Sequence, residues 1–556
     1  MIISFDRSPE AFYRLACTAL EKDDLGIASV YCERAIGGKG LVEYKMTLAD
    51  IYLRMGRKAD AMDVAVDVLC HSRGEKKAEA YELMARASNA LGKSFESLYY
   101  LTKRAQMEGE EAAIDVMGEL VDEMMIDLPD EPERHLYLVG GEPDHRHMVE
   151  RAVFCMQTGD LEHAIEEAAR VPEKSDYYED AMDIILRCAT DLRRKDLAAQ
   201  YAREALAHNQ KDALALYVLI AVCGESEYIP LLTEVEEDPS SLHYAMAAAD
   251  AAGDAETAKV LVKRLLAANQ YSPEAYFACA GVFYNAGEKD KCISRLKDLF
   301  SISKKYPATV ILDGVEAAAG EKHFDLIFGN VMPRFIADIL REYVRAHTDS
   351  EEDFCRSMMS DADFRAALTL LYEANDDETI ENTLDFVGGS ELAEVDAFFE
   401  KLLLKTNLTP MTKRDVLAEL LLSRHKGTIT IMPGVIPVRV RCAKPPKYAA
   451  YPRVLQEAYV DAYAFAMCVM DVSAARAMQT FAPRFFADDT VWRDKEEDEI
   501  TAALICVSLG IDAPPPNLPI FTEDVCEYIC RNIFDMEPAS IDRVRSIVQY
   551  FRPAKG

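Results

Sequence analysis

The sequence predicts a mainly α protein: an α-solenoid of stacked helical hairpins, followed by further helical pairs, a short β-hairpin and a helical C-terminal domain. Three observations predict it. Proline, glycine and small residues return at a step of 34 residues in the first part of the chain. Helical periodicity persists after that step fades near Gly320. One stretch, HKGTITIMPGVIPVRVRCAKPP, changes to a period of two.

The step is clearest at Pro239, Pro273 and Pro307, each 34 residues after the last. Gly253 and Gly287 follow their prolines by 14 residues, and five residues further stand Ala258 and Cys292. Val262 and Leu296, Leu265 and Leu299, and Leu266 and Phe300 occupy matching apolar places. Self-similarity at a fixed period of this length marks a repeat array. Its physics is that of a helix hairpin. Proline suits a first helical turn, where its missing N–H costs nothing. Glycine ends the helix because it enters the left-handed region without a Cβ clash. The small residue lets the second helix approach the first, and a neighbouring hairpin covers the apolar face left over.

The same template, taken in chain order, fits 1–108 and 144–320. Pro9 leads to a turn at Asp23 and then Ala28; the next copy turns at Gly56 before Ala61. A third turns at Gly92 before Ser97. The later block turns at Gly159 before Ala164 and, 34 residues on, at Arg193 before Ala198. Small residues stand midway along the first helices at Ala16, Ala49, Ala85, Ala152 and Ala280, and early aromatics at Phe12, Tyr81 and Tyr276. This pattern resembles the tetratricopeptide repeat (TPR) family over roughly residues 1–320. It departs from the family at Lys45, Leu186 and Met246, and the copy from Ala213, with ESEYIPLLTEV as its second half, breaks the period.

Between the blocks, 109–143 reads as an acidic helix followed by an irregular insertion. Over 321–426, segments such as DADFRAALTLLYEA, ELAEVDAFFEKLLLK and TKRDVLAELLLSR read as amphipathic helices, expected to form degenerate hairpins. At 427–446, Ile429 and Ile431 alternate with Thr, and Val438 and Val440 with Arg, around a Pro433-Gly434 turn. That alternation predicts a β-hairpin, with Pro437 confined to an edge or bulge. From 447 to 556 the text is helical again, with a Pro-rich break, APPPNLP, before two last helices starting near Thr522 and Ala539.

Composition narrows the functional class. A chain of 556 residues exceeds one hydrophobic core, which suits an array. The formal charge of −34 repels phosphates and anionic membrane surfaces, so neither nucleic acid nor membrane is expected as a partner. The 14 cysteines are scattered singly, with Cys17, Cys32, Cys155, Cys188 and Cys279 in apolar text, as expected of reduced thiols in a soluble, cytoplasmic protein.

No catalytic motif stands out. His135, His145 and His147 lie near Glu142 and Asp144. Residues two apart on a helix point in different directions, however, so neither a metal site nor any cofactor is expected. Cys526 and Cys530 read as core, and Gly388-Gly389 as a helix stop. No P-loop, GxSxG or Rossmann fingerprint is present.

The TPR resemblance implies that the first helices line a concave face, presenting their second, fifth, ninth, twelfth and thirteenth positions. From Pro239 this series includes His243, Ala247 and Asp250; from Pro273 it includes Phe277, Gly281, Tyr284 and Asn285. Earlier copies contribute Tyr13, Met46, Asp50, Arg86 and Asn89. Some TPR proteins hold acidic chaperone termini with a Lys/Asn/Arg clamp, whose places here carry Tyr13, Cys17, Asp50, Glu79 and Leu83, so that clamp is not expected. The reading is a scaffold or adaptor without catalysis of its own that binds a peptide or helical partner on the concave superhelical face, a protein or peptide with apolar anchors and some basic charge. The alternatives are an enzyme or enzyme subunit with its site in the C-terminal domain, and a structural homo-oligomer.

Overall fold

A computed structural model of the chain describes residues 8–38, 40–91, 94–108, 138–139, 142–143, 145–157, 159–318, 323–327, 332–389, 392–422, 428–434, 437–441, 448–470, 472–508 and 525–551. The protein is mainly α, and the chain divides into two compact units, Met1–Ile339 and Leu340–Gly556.

In the first unit, helices pack in sequential pairs. They are α1 (Pro9–Glu21) with α2 (Leu25–Gly38), α3 (Val42–Arg54) with α4 (Lys58–His71), and α5 (Glu75–Ala90) with α6 (Ser94–Glu108). The expected acidic helix and insertion at 109–143 lie outside the described residues, apart from an antiparallel pair of two-residue strands, β1 (Leu138–Val139) and β2 (Glu142–Pro143). Pairing resumes with α7 (His145–Gln157) and α8 (Leu161–Ala168), then α9 (Tyr178–Asp191) and α10 (Lys195–His208). The copy that breaks the period is α11 (Ala213–Tyr217), a π-helical turn Val218–Val222, and a 3-10 segment Ser226–Glu234 holding Pro230. Two regular pairs follow: α12 (Pro239–Ala251) with α13 (Ala255–Ala268), and α14 (Pro273–Asn285) with α15 (Lys289–Ile302). Next comes α16 (Ala308–Ala317), and α17 (Arg334–Arg345) begins in the first unit and ends in the second.

The turn chemistry repeats atom for atom. Asp23, Gly56, Gly159, Arg193, Gly253 and Gly287 all have φ between +57° and +84°. After each, the next backbone N–H reaches the carbonyl five residues back, at 2.8–2.9 Å. This closes the terminal carbonyls of the helix in the Schellman manner. Asp24 and Asp254 then cap the second helix through Ile27 N and Thr257 N, both at 3.1 Å. The small residues Ala28, Ala61, Ser97, Ala164, Ala198, Ala258 and Cys292 are all fully buried, as are Ala16, Ala49, Ala85, Ala152 and Ala280. Leu186 and Met246, the larger residues at that second place, are also fully buried.

Within the first unit the chain returns to its own beginning. Tyr271 packs on the core of α1 to α3, and Arg57, beside α4, donates to Ile302 O at 3.3 Å.

The second unit contains α18 (Glu351–Ser360), α19 (Ala362–Glu373), α20 (Asp377–Gly389), α21 (Ala393–Leu402) and α22 (Pro410–Leu422). Asn375, with φ +53°, repeats the same turn between α19 and α20, where Asp376 N reaches Leu371 O at 3.0 Å. The β-hairpin forms as the alternation predicts. β3 (Ile429–Ile431) pairs antiparallel with β4 (Val438–Val440), Ile429 opposite Val440, and Pro437 sits just ahead of β4. The helices α23 (Arg453–Phe465), α24 (Val472–Phe486), α25 (Asp489–Trp492), α26 (Glu497–Ser508), α27 (Val525–Tyr528) and α28 (Pro538–Phe551) complete the chain. A π-helical turn, Ala466–Met470, follows α23, and APPPNLP lies outside the described residues. Tyr448 and Tyr451 join an aromatic cluster around Phe486, with ring centroids 6.2 and 4.8 Å from it.

Candidate functional site

The first helices α12 and α14 start alike because Asp238 and Ser272 cap them. Asp238 accepts from Ser240 N and Ser241 N at 2.9 and 3.0 Å, and Ser272 from Ala275 N at 3.2 Å. A proline then occupies each first turn. Equal starts put equal offsets on one face, so His243 and Asp250 of α12 come beside Gly281, Tyr284 and Asn285 of α14.

That face holds a piece of the chain itself. Residues His323–Ile327 belong to no helix or strand and lie against it. Asn285 engages both backbone groups of Phe324: its Oδ1 accepts from Phe324 N at 2.9 Å, and its Nδ2 donates to Phe324 O at 3.0 Å. A residue with its N–H and C=O on one side has β-like backbone, the form in which ladder strands exchange bonds. The second Nδ2 proton goes to Asp250 Oδ2 at 2.8 Å, which settles the amide's orientation. His243 Nε2 donates to Leu326 O, two residues along.

Side chains complete the fit. Phe324 is fully buried and Leu326 nearly so, while His323 is exposed. The Phe324 ring lies 6.0 Å from Tyr284 and 5.0 Å from Phe335. Gly281 makes room for both: a Cβ there would sit 2.4 Å from Leu326 Cδ2 and 2.8 Å from Phe324 Cδ1.

The electrostatics follow from burial. Desolvation lowers the His243 imidazole pKa, which favours the neutral ring donating from Nε2. Desolvation raises the Asp250 carboxyl, opposed by the Asn285 bond and by His323, whose Nε2 is 3.4 Å from Oδ2. Next along the face, Tyr217 and Tyr244 stand 5.8 Å apart, and the Arg187 guanidinium lies 5.6 Å over Tyr244. Burial pushes the Asp183 carboxyl up to about 6 despite Arg187 at 3.6 Å.

The other expected groove residues are placed as follows. Asp50 and Arg86 meet in an ion pair at 3.1 Å, bridging α3 and α5. Tyr13 bonds Thr47 at 2.9 Å and stacks on Tyr44 at 4.3 Å. Met46 and Asn89 are half-buried on α3 and α5. Phe277 corrects the expectation that it faces the groove: its ring is fully buried, edge-on to Tyr306 at 5.2 Å, and packs the hairpin instead.

Sequence reasoning passed over Arg187, Tyr217, Tyr244 and, above all, the segment 323–327. A signal for the last was present. HFDL alternates polar and apolar residues between Gly320 and Gly329, which reads as non-helical chain. Chemically, the site is suited to gripping polypeptide backbone. No group of three His, Cys, Asp or Glu residues placed to hold a metal ion occurs among the described residues.

No protein-family model matches the chain, and no curated protein does. Among solved structures it is similar to the TPR2AB-domain:pHSP90 complex of yeast Sti1, at 11% identity and TM-score 0.21, covering 47% of this chain and 98% of that one. It is also similar to the APC/C hetero-tetramer Cut9–Hcn1, at 13% identity and TM-score 0.24, covering 77% and 91%. A third likeness is to yeast Tom70, at 11% identity and TM-score 0.25, covering 97% and 99%. Scores of this size carry no argument; the helical-hairpin architecture rests on the turns, caps and buried small residues described above.

Proposed function

We propose that the protein is a TPR-type interaction scaffold or adaptor, without catalysis of its own, that holds a protein or peptide partner along the face of α12 and α14. One observation carries this reading. The Asn285 amide bonds both the N–H and the C=O of a single non-helical residue, with His243 on a carbonyl two residues later. Such a constellation recognises main chain, whatever side chains it bears, and leaves selectivity to the apolar pockets beside it. The partner therefore presents non-helical backbone with apolar anchors. The formal charge of −34 favours basic residues outside them.

The test is affinity enrichment from a native lysate with full-length wild type and Asn285→Ala as baits, compared by mass spectrometry. Asn285 is half-buried, so the variant keeps the wild-type far-UV circular dichroism. A set of partners lost with N285A is the expected result. Identical partner sets for both baits would refute groove-mediated binding.

A further inference from the structure

The groove's visible occupant is the chain's own 323–327. Resting on the adaptor reading above, we infer that this segment is a built-in competitor for the groove. The partner it excludes is a non-helical peptide with an aromatic residue and an aliphatic residue two positions apart, as Phe324 and Leu326 are.

Three features support the competition. Among the described residues, Asn285 and His243 bond the segment's backbone, and Asn285 and Asp250 meet the exposed His323 side chain. Backbone bonds do not depend on continuity with the array, so a separate chain makes them equally well. Next, exposure along 323–327 alternates, with Phe324 and Leu326 turned in over Gly281 and their neighbours turned out. Two apolar residues at a spacing of two fill the seat, with the His323 side chain at its edge. Last, the fit is incomplete. Tyr284 lies against Phe324, is only 9% exposed, and its hydroxyl finds no hydrogen-bond partner among the described residues. A buried hydroxyl left unbonded is unfavourable, and a ligand with an acceptor in reach of it would gain that bond over the resident segment.

Tethering sets the strength of the block. A segment attached to its own site acts at a high effective concentration, and a groove open only a fraction of the time shows an affinity reduced by that fraction.

The experiment is fluorescence polarisation with a fluorescein-labelled peptide of residues 321–329, EKHFDLIFG, and the full-length chain. The proteins are wild type, F324A/L326A, and F324A/L326A/N285A. Unseating the segment should tighten peptide binding at least about ten-fold over wild type. Adding N285A should abolish the gain, and a peptide with Ala at both anchors should not bind. Equal affinity for wild type and a folded F324A/L326A overturns the inference.

Hydrogen exchange supplies a reading that does not depend on the variant's folding. In wild type, saturating peptide should expose the Phe324 amide; unchanged protection under saturation also overturns it. The two readings separate cleanly in the lysate assay. Partners that need Asn285 but are captured no better by F324A/L326A remove the competitor and leave the adaptor standing. Partners indifferent to Asn285 remove the adaptor itself.

Discussion

An asparagine side chain offers the donor and acceptor of a peptide unit on one flat group, and Asn285 spends both on Phe324. Its helix position was legible in the sequence, because an offset from a capped proline sets direction. Depth was not legible. Phe277 shares the offset series yet is fully buried, since Tyr306 closes over it. Titration is decided at this scale as well. Burial, then Glu457, Asp461 and Asp498, push the Glu497 carboxyl from 4.5 to about 7, with Arg453 opposing. Between those values the folded protein keeps a proton that the unfolded chain has lost, so stability falls as pH rises through the window. Trp492, the chain's single tryptophan, lies in the same unit and reports its melting by fluorescence. Wild type should melt at lower temperature at pH 8 than at pH 5.5. E497Q should reduce that difference and exceed wild type at pH 8; an unchanged difference would clear Glu497 of the effect. Asp415, Glu419 and Asp461, also raised by burial, hold the remainder.

At the scale of the element, the hairpin turn is the unit of design. Where glycine stands at the left-handed position the turn is unstrained, but Arg193 holds φ +57° with a Cβ. Arg193→Gly should therefore stabilise the α9–α10 hairpin by about 0.5–1 kcal/mol, net of the added freedom of the unfolded chain. Urea unfolding of the full chain, with hydrogen exchange in α9 and α10, measures it. A loss of protection there would show that the guanidinium supplies more than the backbone loses. The turns, caps and small contacts were readable because each depends on residues within one hairpin. The π-helical turns at Val218–Val222 and Ala466–Met470 were not, because nothing in the apolar text distinguishes an i→i+5 bond from an i→i+4 one. Pro307 likewise promised a further hairpin, yet α16 ends at Ala317 and the next described residues, 323–327, lie in the groove.

For the chain as a whole, the first unit joins its beginning to its later hairpins through Arg57. Its side chain is 3% exposed, pairs with Asp60 at 2.7 Å and lies 4.2 Å over the Tyr52 ring. It reaches Ile302 O across 245 residues. Nearby, a Cβ on Gly26 would meet Tyr271 at 3.6 Å. Removing one member of so buried a pair is costly, though Asp60 keeps some solvent and Lys305 at 3.9 Å. Arg57→Ala should destabilise by about 2–3 kcal/mol and loosen α4 and α15 together in hydrogen exchange. Loosening of α4 alone would mean the two ends are not coupled. The sequence by itself determined the hairpins and their period, because caps, left-handed turns and small-residue contacts are settled among neighbours. Only the tertiary structure decided that the array meets itself at Arg57 and that 323–327 fills the groove. Those contacts depend on angles accumulated over successive hairpins, and on a floor at Gly281 that exists only after α12 and α14 have packed.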